Sequence, residues 1–185
     1  MASLGPEHLA EAAEELERRA TDLRLYYTDR LHSARVLSRL GPQYRIRAGG
    51  LILALATGPA GTSFDRAYIA SMLADCGPEF REATVALLHS VLDDPAAVAG
   101  LLQSAGSRLA DLGPEHWPAA VPALTRAAKH PKGFDRLAMY ALGALAGLGA
   151  PHRAQALAGL RSAMNQPEST PETRYLAAAE LARLG

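Results

Sequence analysis

The chain is short of lysine, aromatics, cysteine and net charge, and each shortage removes a class of explanation. A single cysteine, Cys76, leaves no intrachain disulfide and no cysteine zinc site to consider. Nineteen basic and nineteen acidic residues cancel, so nothing in the overall charge draws the chain to nucleic acid or anionic membranes, and neither is expected as a partner. No apolar run approaches the roughly 18 residues of a membrane span. Met1-Ala2-Ser3 leads into polar, glutamate-rich sequence rather than a signal-peptide pattern, which sets a cytoplasmic expectation. Aromatics are only 5% of the residues, so the core must be built from Leu, Ala, Val and Ile. Such residues suit close helix contact and give little to a β-sandwich. Only Lys129 and Lys132 are lysines; arginine in their stead, with abundant Ala, Gly and Pro, reads as the codon bias of a high-GC bacterial genome.

What is present is a period. Leu4-Gly5-Pro6-Glu7-His8 returns as Leu112-Gly113-Pro114-Glu115-His116. Between them stand Leu40-Gly41-Pro42-Gln43-Tyr44 and Cys76-Gly77-Pro78-Glu79-Phe80, and Leu148-Gly149 and Leu184-Gly185 follow. The leading positions 4, 40, 76, 112, 148 and 184 keep a constant step of 36. Pro59, Pro95, Pro131 and Pro167 form a second column, with Leu23 in the equivalent place of the first segment. Leu16, Ile52, Leu88, Leu124 and Leu160 form a third, and Leu37, Leu73, Leu109, Leu145 and Leu181 a fourth. Self-similarity at such a period marks a repeat array. The units run about 5–40, 41–76, 77–112, 113–148 and 149–184 in one domain.

Each unit reads as two helices. Helix A opens with Pro at its first position and Glu near the positive end of the dipole; in the first unit it is expected over Pro6–Thr21. Mid-unit proline ends it, and helix B runs on to the Leu-Gly step, where glycine is expected to supply a left-handed C′ residue. In the last unit Thr170-Pro171-Glu172 is a start signal for helix B. Asp94-Pro95 predicts an early, longer helix B in the third unit, and Asp135-Arg136 a longer one in the fourth.

Helix B carries the phrase Asp29-Arg30, Ala34, Leu37, Leu40-Gly41, then Asp65-Arg66, Ala70, Leu73, and finally Arg174, Ala178, Leu181, Leu184-Gly185. This resembles HEAT-like repeats, whose second helix often reads (D)R-x-x-A-x-x-x-L-x-x-L-G, and the resemblance covers the whole chain. It implies an all-α fold, a right-handed α-solenoid of five helix pairs. It also implies an Asp–Arg ladder between neighbouring units through Asp29, Arg30, Asp65, Arg66, Asp135, Arg136 and Arg174; Leu102 in the arginine column breaks it in the third unit. Tetratricopeptide arrays have a similar period, but their Trp, Tyr and Phe columns are missing.

Chemistry is harder to find. The column of His8, His116 and His152 is filled elsewhere by Tyr44 and Phe80, which cannot replace a neutral imidazole ligand. The slot asks for a flat packing group, so no metal and no cofactor is expected. No Ser/His/Asp or Cys/His set has a local signature, and Cys76 shares its column with leucines. The glycines of Gly143–Gly149 lie inside a helix B pattern with no strand before them. Trp117, flanked by Pro114, Pro118 and Pro122, is expected to pack locally.

What remains is a surface. In arrays of this type helix B lines the concave side. Its non-core positions, His32, Arg35, Arg39, Tyr68, Ser71, Asp75, Ser104, Ser107 and Tyr140, vary between units and grade from basic to neutral. The expected function is a non-enzymatic scaffold presenting that surface to an acidic peptide or partner protein, as a module of a larger signalling or defence protein. The alternative is an enzyme on the same scaffold, a nucleobase glycosylase or pigment lyase by family analogy. The last helix has no evident polar cap, which predicts either an excised piece of a longer array or self-association through the final unit.

Overall fold

A computed structural model describes residues 5–56, 62–129 and 135–185, apart from the side chains of Pro6 and Asp135. Leu4, Pro59 and Pro131, which the sequence assigns to a junction and two connectors, lie outside the described residues. The described chain is all-α: α1 (Pro6–Thr21), α2 (Tyr27–Arg39), α3 (Pro42–Ala56), α4 (Ser63–Cys76), α5 (Arg81–Leu92), α6 (Ala99–Leu112), α7 (Trp117–Ala128), α8 (Asp135–Gly147), α9 (Ala150–Asn165) and α10 (Pro171–Leu184). Single 3-10 turns, Pro78–Phe80 and Pro114–His116, lead into α5 and α7. Counting those turns, the odd helices begin at 6, 42, 78, 114 and 150, and the even ones at 27, 63, 99, 135 and 171.

The chain divides into two compact units, residues 1–87 and 88–185, with the division inside α5. In the first, α1 packs on α2 and α3, α2 on α3, and α3 on α4. Ala34, Ile52, Ile69 and Leu73 are fully buried in one cluster, and Leu37 and Ala48 in a second with Ala13. In the other unit, consecutive helices from α6 to α10 pack in order, and α8 also meets α6 and α10. Leu124, Ala141 and Ala146 centre one cluster there, and Leu160 and Ala177 another. Each buried leucine contributes about 1.5–3 kcal/mol relative to exposure. The two apolar columns are thus the core, except at their ends, where Leu16 and Leu181 are only half-buried.

The starts are written locally. Thr62 caps α4 with a reciprocal pair: its Oγ1 accepts from the Asp65 amide at 3.2 Å, and the Asp65 carboxylate accepts from the Thr62 amide at 2.8 Å. Thr170 caps α10 by accepting from the Thr173 amide at 3.1 Å, with Pro171 at the first position. One expected lengthening fails. Asp94-Pro95 does not start α6: the Asp94 side chain accepts from the Ala96 amide at 2.8 Å and its carbonyl from the Ala97 amide at 3.0 Å. This Asx turn competes successfully with the helix, which opens only at Ala99. The lengthening expected from Asp135-Arg136 falls on residues outside the described ones, which α8 abuts at Asp135.

The Leu-Gly junctions also depart from expectation. Gly77 and Gly113 have φ of 148° and 143° with ψ near 170°, an extended mirror-image conformation rather than the left-handed helical one. It is open essentially to glycine alone. Gly41 is not in the positive-φ set, so the first junction turns by ordinary backbone.

The ring slot behaves as a seam filler in two places. Tyr44 packs against the cluster containing Ala13, and the Phe80 ring lies directly on the backbone of Gly49 in α3, 36 residues on from Ala13. His8 differs: its side chain is 60% exposed, 3.8 Å from Glu11, so packing does not account for it. His116 is half-buried beside Glu115 at 3.6 Å, and Trp117 donates from Nε1 to the Ala110 carbonyl at 3.3 Å.

Two adjacent glycines make a sharp test. A Cβ on Gly49 would overlap Cε2 and Cζ of Phe80, whereas one on Gly50 meets nothing within 4 Å. Gly49→Ala is expected to destabilise by about 1–3 kcal/mol through overpacking, and Gly50→Ala to stabilise by about 0.5–1 kcal/mol through helix propensity, both read by urea melts. Thr84 is 2% exposed in a column otherwise held by Ala48, Ala120 and Ala156, and no described group bonds its Oγ1. Thr84→Val keeps the shape and removes the orphan hydroxyl, so a gain of about 1 kcal/mol is expected in the same assay.

Candidate functional site

The chain's arginines divide by whether a carboxylate answers them. Arg18 is held by Glu15 at 2.6 Å, Arg24 by Asp22 at 2.8 Å, and Arg47 of α3 by Glu17 of α1 at 2.8 Å. Hydrogen bonds from Arg24, first from its side chain and then from its backbone, hold the Asp22 carboxyl well below the usual range. Arg35, Arg39 and Arg45 have no carboxylate within ion-pair distance among the described residues. All three line one cleft of about 280 Å³ in the first unit, with Ser38, Met72 and Asp75.

Local structure explains the convergence. Arg35 and Arg39 are four apart on α2 and share one face. Met72 and Asp75 come from the last turns of α4, and Arg45 from the first turn of α3. Arg35 is fixed from the side: its Nη1 donates to the Tyr68 hydroxyl at 2.7 Å, and its guanidinium sits 5.8 Å from the Tyr68 ring centroid. Tyr68 itself is 39% exposed. Such a cation–π contact at an exposed site is worth about 0.5–1 kcal/mol, enough to bias one rotamer. Ser38 donates to the Arg35 carbonyl at 2.7 Å, so its proton is committed to its own helix. The carboxyl end of α2 helps hold Arg39 in place of a carboxylate partner, a dipole effect of about 0.3–1 kcal/mol.

Of the surface residues read from sequence, Arg35, Arg39, Tyr68 and Asp75 therefore meet at one place. Ser71 is half-buried on α4 and His32 is exposed on α2, outside the cleft lining. In the second unit Ser104 and Ser107 are half-buried on α6, where Gln103 donates to Ser107 at 3.1 Å. Tyr140 is occupied by Arg136 of its own helix, at 3.4 Å and 5.7 Å from ring centroid to guanidinium. Arg45 is the residue that sequence reasoning missed. It lies on an odd helix, and only the reach of its side chain from the first turn of α3 brings it to α2.

The residues assigned to a ladder make these contacts. Arg30 donates to the Ala20 carbonyl at 3.1 Å, and Arg174 to the carbonyls of Gln166 and Pro167 at 3.1 and 2.9 Å. Both tie the start of an even helix to the chain just before it. Asp65 serves the Thr62 cap, Arg66 donates to Ser63 Oγ at 2.8 Å, and Asp29 lies exposed in the first turn of α2. The side chain of Asp135 lies outside the described ones.

A second hollow, about 270 Å³, opens between α7, α8 and α9, lined by Thr125, Lys129, Met139, Leu142, His152 and Gly159 among others. Gly159 stands 108 residues after Leu51, which packs against both clusters of the first unit. A Cβ on Gly159 would stand 3.2 Å from the Leu142 side chain, and the hollow brings together no pair of charged groups suited to chemistry. Among the described residues no three His, Cys, Asp or Glu side chains gather as a metal set, and no helix is long and apolar enough to cross a membrane.

Cys76 follows the cleft residue Asp75 and belongs to the core cluster of the first unit. It is 3% exposed, and burial, then the neighbouring Asp75 charge, push its thiol up against a smaller opposing pull from Arg45. The folded state therefore holds the thiol proton more tightly than the unfolded chain. That contribution is complete below an unfolded thiol value of about 8.5 and is lost as pH rises above it. Native protein is expected to resist a thiol-reactive dye at pH 8 and to react only on unfolding, and its urea midpoint to fall above pH about 8.5.

No protein-family model, curated protein or solved structure matches the chain.

Proposed function

We propose that the chain is an α-solenoid of five HEAT-like helix pairs, and that it works as a non-enzymatic scaffold whose even-helix surface binds an acidic peptide or partner segment. The common 36-residue step of the helix starts and the continuous Leu columns support the repeat reading. The observation that carries the function is the cleft in which Arg35, Arg39 and Arg45 converge without a carboxylate partner among the described residues. In a chain whose formal charge is zero, such a concentration of unanswered positive charge is a local feature, not a by-product of composition. Removing a guanidinium's water is costly unless a ligand returns charged hydrogen bonds, each worth about 1.5–3 kcal/mol.

Tyr68 adds a flat, amphipathic surface beside the charges, the combination that peptide-binding surfaces favour. Asp75 is the cleft's one carboxylate, and among the described residues it stands beside no nucleophile with an activating neighbour and no metal set, so binding is the reading the arrangement supports best.

The test is a solid-phase array of random nine-residue peptides sorted by net charge. Acidic members are expected to be retained and basic ones not, with affinity falling as salt is raised. Arg35→Ala with Arg39→Ala and Arg45→Ala is expected to weaken binding at least tenfold, about 1.4 kcal/mol, while stability in urea falls by no more than the roughly 1 kcal/mol of the Arg35–Tyr68 contact. Retention independent of peptide charge, or unaffected by the triple substitution, sinks the proposal.

A further inference from the structure

The acidic-peptide reading leaves open which anion the cleft is shaped for. We infer that Arg35, Arg39 and Arg45 form a receptor for one phosphate monoester, carried on a serine or threonine of the bound peptide. This deepens the scaffold proposal and rests on it.

A carboxylate presents two oxygens in a plane and is satisfied by one bidentate guanidinium. Two of the chain's pairs show that case: Arg18 meets Glu15 through Nε and Nη2 at 2.7 and 2.6 Å, and Arg24 meets Asp22 likewise at 2.9 and 2.8 Å, while Arg47 and Arg183 each meet a single carboxylate oxygen. One arginine per carboxylate is this protein's own stoichiometry. The cleft instead gathers three guanidiniums from two helices around about 280 Å³, room for a compact group but not for several side chains. A phosphate monoester near pH 7 carries about 1.5–2 negative charges and three terminal oxygens in a tetrahedral array, which matches donors arriving from separate directions.

Asp75 sets the limit. With it the cleft carries three positive charges against one negative, a net of about two, close to one phosphate dianion and in excess for one carboxylate. As an acceptor on the rim it also repels a second acid, which makes a run of glutamates a poor substitute for a single phosphate. Preorganisation favours the same choice. Arg35 is pinned by Tyr68 through a 2.7 Å hydrogen bond and a ring contact, so less side-chain entropy is lost when it bonds a ligand. Tyr68 also leaves an exposed ring edge where a peptide residue beside the phosphate can lie.

The experiment uses the full chain and three versions of one degenerate nine-residue peptide library, with the central residue fixed as phosphoserine, serine or glutamate. Affinities are read by fluorescence anisotropy, with inorganic phosphate and AMP as competitors. The phosphoserine library is expected to bind at least tenfold tighter than the glutamate library, and serine not measurably. Arg35→Ala combined with Arg39→Ala is expected to cost at least tenfold, and Asp75→Asn to tighten the phosphoserine library a few-fold. Phosphate and AMP should compete only at millimolar concentrations.

Glutamate and phosphoserine libraries binding alike would overturn the phosphate inference while leaving the acidic-peptide scaffold standing. Neither library binding would remove both. AMP binding as tightly as the phosphoserine library would overturn the peptide-borne source in favour of a free phosphate ester. Circular dichroism melts of both variants guard the reading: all three arginines and Asp75 lie at least partly in solvent, so the folded state is expected to survive their loss.

Discussion

Two helices can bury a leucine stripe between them only if something beside the stripe is small enough to let the backbones approach. Here small residues meet that condition in three of the even helices and three of the odd ones. Ala34, Ala70 and Gly106 hold one position of the even helices and are all buried. A Cβ on Gly106 would already stand 3.0 Å from Leu124. Ala48, Ala120 and Ala156 hold the corresponding small position of the odd helices. The leucines supply most of the burial, but their packing is conditional on the alanines and glycines beside them. The scarcity of aromatics follows from the same condition, and the ring of Phe80 finds room only where Gly49 has removed a side chain.

Because packing is met by these columns, the remaining even-helix positions are free to differ. In the first unit that freedom has placed Arg35, Arg39 and Tyr68 on neighbouring helices, with Arg45 reaching in. On α9, an odd helix, Gly159 borders the second hollow in the column that holds Leu51 and Leu87. The contrast matters: a gap beside a helix forfeits contacts within the fold, whereas solvated arginines without a carboxylate keep their charge and donors available.

Much of this was legible in the sequence, for a physical reason. Helix starts and core columns depend on residues near in sequence, so Pro6, Thr170-Pro171 and the Leu columns announced themselves. Failures came where two local signals competed. Asp94-Pro95 has the composition of a helix start, yet the Asp94 carboxylate satisfies an amide two residues on and closes a turn instead. The glycines after Cys76 and Leu112 were expected in the left-handed helical region, but the proline that follows each forces an extended ψ. The cleft was half legible. Arg35, Arg39, Tyr68 and Asp75 could be projected from periodicity, but Arg45 could not, since side-chain reach across a junction leaves no period.

The junctions at Gly77 and Gly113 have a consequence for how such a chain tolerates change in length. A single residue separates the end of α4 from the next turn, and likewise the end of α6. With that residue held in a mirror-image conformation, there is no slack to absorb an insertion. The five- and six-residue connectors 22–26, 93–98 and 166–170 carry no such restriction. Loop closure grows only logarithmically dearer with length, so extra sequence there would leave both flanking helices in register. Inherited insertions, grafted tags and new termini belong at those corners, and the glycine joints are where the chain's length is fixed.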